Sequence, residues 1–202
     1  MKHSRALVAA ALVLAGAACT RTVEVFVTPS ASPSVTVSAS PPPGSVFVQS
    51  RGVKMAVPLD WHAIGEGGPT GEATLVLAYS PDDDSFLTLQ RFGVLINVTP
   101  DRLDDVRPQF VRLLRETAAE VGGEILQPLE LAETAGFPGF VATLSLTTPN
   151  GNPAEEVLYI FFDQTNEYTL ACAYTPATLD DVTAACEVAR STLTADSPFP
   201  TS

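Results

Sequence analysis

The chain of 202 residues carries 11 Lys+Arg against 23 Asp+Glu, a formal net charge of -12. A polyanion of this kind repels phosphate backbones and anionic headgroups, which excludes nucleic acid as a partner and disfavours electrostatic adsorption to a membrane. Three cysteines and two histidines are too few for a zinc cage, and no metal or cofactor is expected.

The chain opens with Lys2, His3 and Arg5, continues through an apolar stretch from Ala6 to Leu14, and closes on the small residues Ala15 to Ala18 before Cys19. That order predicts a secretory signal peptide over residues 1–18. The apolar run is shorter than the roughly 20 residues a membrane span needs. Cleavage before Cys19 would expose an N-terminal cysteine, and the segment then resembles a bacterial lipoprotein, in which that cysteine is acylated. Gly16 stands three residues before Cys19, where the pattern has an aliphatic residue, so plain secretion after cleavage near Ala18 is the alternative. Loss of Lys2 and Arg5 takes the charge from -12 to -14. Residues 28–45, TPSASPSVTVSASPPPGS, hold five prolines, six serines and no charge, and predict a disordered stalk completing a tether over residues 19–45. Extended at about 3.1 Å per residue, the stalk reaches about 55 Å. TVEVFV, residues 22–27, alternates like a strand but lies between anchor and stalk with no evident partner.

Residues 46–195 have the size of one domain. VFVQSRGVKMAVP reads as strand ending at Pro58, and DWHAIGEGGPTGEA as a glycine-rich connection. TLVLAYS and SFLTLQRFGVLINV read as strands split by the turn PDDD. Thr99 and Pro100 can open a helix whose inward stripe is Leu103, Val106, Phe110, Leu113, Leu114, Thr117 and Val121; Gly122 and Gly123 end it. Pro108 should kink that helix or mark the start of its longer half. Four strands follow, EILQPLELAET, GFVATLSLTT, EEVLYIFFDQ and EYTLACAY, the last two joined by a turn around Asn166. A closing helix runs from Thr178, an expected cap with Asp181 three residues on, to about Thr194. Residues 196–202 are read as a disordered tail. Strands, helix, strands, helix predicts an α+β fold: an antiparallel β-sheet flanked by helices.

Alternation in EYTLACAY sets Tyr168, Leu170, Cys172 and Tyr174 on one strand face, and Leu179, Val182, Cys186 and Leu193 mark one helix stripe. Both thiols can meet at a strand-to-helix interface. In an oxidising compartment the arithmetic is a Cys172–Cys186 disulfide with Cys19 lipidated; a buried reduced pair is the alternative.

Three local features invite a functional reading. GEGGPTGE, residues 65–72, lacks the ending of a phosphate loop and carries two glutamates, so it reads as a mobile turn rather than a lid. Asp82, Asp83 and Asp84 lack the spaced ligands of a calcium loop and read as a solvated turn. Trp61 and His62 are the candidate binding residues, although a tryptophan at a strand end commonly closes a core. No catalytic residue is assigned: His62 is the sole histidine left after processing, and no GxSxG elbow accompanies it.

At VKMAVPLDW (53–61), GFPGFVATLSL (136–146), the paired strands ending at Tyr174 and the helix at Val182–Leu193, the chain resembles the PsbP-like fold, an α/β/α sandwich, and within it the actinobacterial LpqN-type lipoproteins. The resemblance covers about residues 46–195. It implies a non-enzymatic binding or assembly module of the cell envelope, held at the outer face of the membrane through an N-terminal lipid, with an envelope protein or lipid as partner. A carrier of an apolar small molecule is the alternative, and a cavity of roughly 300 Å³ or more would separate the two.

Overall fold

The computed structural model describes residues 40–50, 52–64, 69–70, 73–94, 97–163 and 166–195. The expected signal peptide, Cys19, most of the stalk, most of the glycine-rich run and the tail at 196–202 lie outside the described residues. The first hairpin joins β1 (Ser45–Ser50) to β2 (Val53–Pro58). Short strands β3 (His62–Ala63) and β4 (Pro69–Thr70) precede β5 (Ala73–Ser80) and β6 (Phe86–Gly93). A 3-10 turn at Pro100–Arg102 leads into α1 (Leu103–Glu120). Next come β7 (Ile125–Thr134), β8 (Phe137–Thr147), β9 (Pro153–Asp163) and β10 (Asn166–Tyr174), then α2 (Leu179–Thr192) and β11 (Thr194–Ala195).

The main sheet runs β3-β5-β6-β10-β9-β8-β7, with β4 also on β5, and every pairing in it is antiparallel. β1, β2 and β11 form a second, smaller sheet. The α+β expectation holds, and the layers are those of a sandwich. α1 lies on one face of the main sheet, where Phe110 packs edge-on to Phe162 at 5.5 Å between centroids and tilted on Phe140 at 5.8 Å. α2 and the small sheet cover the other face, where Val53, Met55 and Val57 of β2 meet Leu170 and Cys172 of β10 and Val182 and Cys186 of α2. The two faces explain why Glu167 through Ala173 are all buried: β10 sits at mid-sheet with a helix on each side.

Cys172 and Cys186 are joined, with Cα atoms 6.2 Å apart and S–S at 2.00 Å. The bridge ties β10 to α2 inside the apolar layer, with both residues buried. No helix among the described residues is long and apolar enough to cross a membrane.

Several boundaries differ from the sequence reading. The N–H and hydroxyl of Ser45 both donate to the Pro42 carbonyl, and Ser45 pairs with Pro58, so ordered chain reaches back into the segment read as stalk. The strand read through Val98 stops at Gly93, and Val98 instead enters the core beneath α1. Pro108 sits within one assigned helix, α1, which runs unbroken from Leu103 to Glu120. Thr178 occupies the N-cap of α2 without capping through its side chain. Its hydroxyl oxygen is engaged by the Thr175 N–H at 3.1 Å and lies 2.7 Å from the Ser85 hydroxyl. α2 ends at Thr192, whose hydroxyl donates to the Val188 carbonyl and accepts from the Ala56 N–H, and the chain turns out into β11 beside β2.

The end of α1 follows from its two glycines. Gly122 has φ +65, a left-handed conformation that strains any residue with a Cβ. The Gly123 N–H then reaches the Ala118 carbonyl at 2.8 Å, and the Gly122 N–H the Ala119 carbonyl at 3.3 Å, which satisfies the last turn. A Cβ on Gly123 would stand 1.8 Å from the Ser145 carbonyl oxygen, so the helix end is laid directly on β8. Nothing lies within 4 Å of a Cβ on Gly122. Gly122→Ala therefore costs about 1 kcal/mol through backbone conformation alone. An unfolding free energy lowered by that amount in urea titration, read as a lower midpoint with an unchanged denaturant slope, is the expected result.

Candidate functional site

The sheet is longer than the helix that covers it, and a cleft of about 320 Å³ opens where α1 ends. It lies between the last residues of α1, the loop from β5 to β6, and the loop from β8 to β9. Each loop is built locally. Asp82 Oδ1 accepts the backbone N–H groups of Asp84 at 2.8 Å and Ser85 at 2.7 Å, an Asx turn that reverses the chain after β5. The buried Ser80 hydroxyl sits inside that turn against the carbonyls of Asp82 and Ser85. In the opposite loop Gly151 has φ +83, and its N–H donates to the Thr148 carbonyl at 2.8 Å.

Asp84 joins the two loops. The amide of Asn150 donates to its Oδ1 at 2.8 Å and that of Asn152 to its Oδ2 at 2.7 Å. Hydrogen bonding from the Thr148 hydroxyl, with further support from Asn152 and Asn150, holds the Asp84 carboxyl below the usual carboxylate range. The acidic run at 82–84 is thus partly a clamp: Asp82 is spent on backbone and Asp84 on asparagines, while Asp83 is exposed. No group of three His, Cys, Asp or Glu among the described residues is placed to hold a metal ion.

At the floor stands Glu156. On β9 it pairs with Leu144 on one side and Ala173 on the other, which directs it to the α1 face of the sheet. It is 3% exposed, and its Oε2 has no hydrogen-bond partner among the described residues. Burial pushes its carboxyl up to about 7. The walls are Ile64, Phe86, Val121, Leu146 and Pro149, and the remaining carboxyls at the rim are Asp82, Asp83, Asp84 and Glu120. No lysine or arginine is among the described residues that line the cleft. The arrangement is an apolar trough with an acidic mouth and one inner carboxyl, which favours a ligand with hydrogen-bond donors and disfavours an anion.

The two candidate binding residues are consecutive in the chain but go to different layers. The Trp61 N–H donates to the Pro58 carbonyl at 3.3 Å, and the indole closes the core on the α2 side. Trp61 therefore does not line the cleft. His62 does: it is exposed, pairs with Ser80 at the sheet edge and stands at the rim. Sequence reasoning missed Glu156. The signal was present in β9, where period-two alternation puts Ala154, Glu156, Leu158, Ile160 and Phe162 on one face. A second carboxyl, Glu167 on β10, is in phase with Thr169, Ala171 and Ala173, is 7% exposed and is likewise pushed up to about 7, chiefly by burial. Glu167 lies toward the opposite end of the sheet and does not line the cleft.

Neither the family models nor the curated proteins yield a match to this sequence. Solved structures do match. The solution structure of cyanobacterial PsbP (CyanoP) from Synechocystis sp. PCC 6803 is similar at a TM-score of 0.55 and 12% identity, over 80% of this chain and 98% of that one. The crystal structure of LpqN, described as involved in cell envelope biogenesis of Mycobacterium tuberculosis, aligns at a TM-score of 0.43 and 15% identity, over 74% of this chain and 89% of that one. The fold is PsbP-like.

Proposed function

We propose that the protein is an exported, membrane-tethered binding module of the cell envelope, without catalytic activity, whose cleft takes a small organic molecule. The observation that carries this reading is the cleft itself: about 320 Å³ with five apolar side chains in its walls, a size at the low end of small-molecule sites. Export is supported by the basic, apolar and small-residue order of the N-terminus and by the Cys172–Cys186 bridge, since disulfides persist in oxidising compartments. Lipid attachment at Cys19 would hold the domain at the outer face of the membrane, and membership in the LpqN-type group of lipoproteins would be consistent with it. A non-enzymatic role is supported by the site chemistry. The His62 imidazole hydrogen-bonds to no serine or cysteine side chain among the described residues, His62 meeting Ser80 only through strand pairing, and Cys172 and Cys186 are tied to each other.

The test is native mass spectrometry of the protein recovered from membranes of its own host. A small molecule retained by the wild type and lost from a Val121→Trp variant, in which the indole fills the cleft, is the expected outcome. Wild-type protein carrying no such adduct, and unchanged in melting temperature by any fraction of a host small-molecule extract, would overturn the reading.

A further inference from the structure

We infer that the cleft selects a primary ammonium group carried on a short apolar body, with the Glu156 carboxylate as its counter-charge. This rests on the reading of the cleft as a ligand site and names the class of ligand. Three observations converge on it. First, Glu156 is a nearly fully buried carboxyl whose Oε2 has no partner among the described residues, at the floor of a cavity. An unpartnered buried acceptor is costly, and a donor arriving with the ligand relieves that cost. Second, the charges around the cavity have one sign. Glu120 at the end of α1 and Asp82, Asp83 and Asp84 in the facing loop line it, and no lysine or arginine does among the described residues. Low-dielectric walls with carboxylates at the mouth concentrate cations and repel anions. Third, these carboxyls do not form a metal cage among the described residues, and two of the rim aspartates are already committed to hydrogen bonds within the protein.

A metal ion would want several oxygens converging on one point. An ammonium needs only a few acceptors around a compact three-donor head, and its attached methylenes can lie along Phe86, Val121 and Leu146. Burial favours the neutral form of Glu156, and a cation held beside it favours the ionised form, so ligand and carboxylate stabilise each other.

Calorimetric titration of the mature protein at pH 7.5, an operating value of about one half unit above neutrality, with hexylammonium, 1-hexanol and hexanoate distinguishes the possibilities. Hexylammonium should bind at least about tenfold more tightly than hexanol, and hexanoate should not bind. Glu156→Gln should bring hexylammonium down to about the affinity of hexanol for the same variant, and Glu120→Gln should weaken hexylammonium less and reduce its salt dependence. Equal affinities for hexylammonium and hexanol, or a preference that survives in Glu156→Gln, overturn the amine assignment and leave the cleft a site for a neutral ligand. Failure of hexylammonium to bind overturns it as well. Whether the cleft holds any ligand is then decided separately by the adduct retained from host membranes.

Discussion

Glu156→Gln and Glu167→Gln each make the protein more stable than the wild type at pH 8, by about 3 kcal/mol, and leave it nearly unchanged at pH 4. The sign follows from burial. Each carboxyl ordinarily titrates at 4.5 and in the fold is pushed up to about 7, chiefly by removal from water. Below 4.5 the group is protonated in both folded and unfolded chains, and its titration contributes nothing. Between 4.5 and about 7 the unfolded chain releases the proton while the fold retains it, so the unfolded state gains with every increment of pH. Above about 7 the fold must hold a buried carboxylate and the full cost is present. At about 1.4 kcal/mol per pH unit the interval amounts to about 3 kcal/mol for each group. Glutamine has the shape of the protonated acid and no proton to lose in this range, so it removes the slope. The two residues lie toward opposite ends of neighbouring strands, and their effects should add. Asp163 is also pushed up by burial, so a residual slope of the same sign remains in the double variant. Urea unfolding at pH 4, 6 and 8 measures all of this. Identical midpoints for wild type and variants at pH 8 would show that water or a counter-ion already neutralises the cost.

How these carboxyls came to be buried also shows what the sequence can disclose. β8 and β10 were legible because their alternation is apolar on one side or both, and α1 because its stripe ends on two glycines that do what such residues do at a helix C-terminus. The bridge was legible because Cys172 and Cys186 each fall in phase with apolar neighbours on elements that must pack. Short β3 and β4 were not legible, because two-residue pairings carry no periodicity, and their residues were read as part of one glycine-rich connection. β11 was hidden for the same reason: Thr194 and Ala195 look like a helix end, and only the neighbouring backbone of Lys54 and Val53 makes them a strand. Trp61 and His62 were singled out by residue type, which does not say that consecutive residues go to different layers. Glu156 was passed over because a glutamate is expected at the surface. Its phase with Leu158 and Ile160 predicts burial, and here phase prevailed over residue preference. The cleft itself arises from the mismatch between the end of α1 and the longer sheet beneath it, a relation among distant segments that no local pattern encodes.

Replacing both Cys172 and Cys186 by alanine lowers the stability of the folded protein by about 3 kcal/mol. The bridge closes a loop whose ends are 14 residues apart in sequence, and in the chain-entropy description a loop of about that length restricts the unfolded chain by about 3 kcal/mol. Most of that loss should appear as gained freedom of the unfolded state, because the sulfurs lie in a packed layer with Leu170, Val182 and Ala185 that remains when the bond is absent. The variant should accordingly keep a folded far-ultraviolet spectrum while its urea midpoint falls. Reduction of the wild type should approach the same midpoint, but slowly under native conditions, since Cys172 is 1% and Cys186 4% exposed and a reductant must wait for α2 to lift from β10. The single variants sharpen the test. Cys172→Ala frees a thiol at residue 186 within the same layer, so it should lose the bridge's contribution yet label with a maleimide only as fast as that opening occurs. Rapid labelling of native, unreduced wild type would mean that the bridge does not form. An alanine pair as stable as the wild type would place the stability of this interface entirely in its apolar packing.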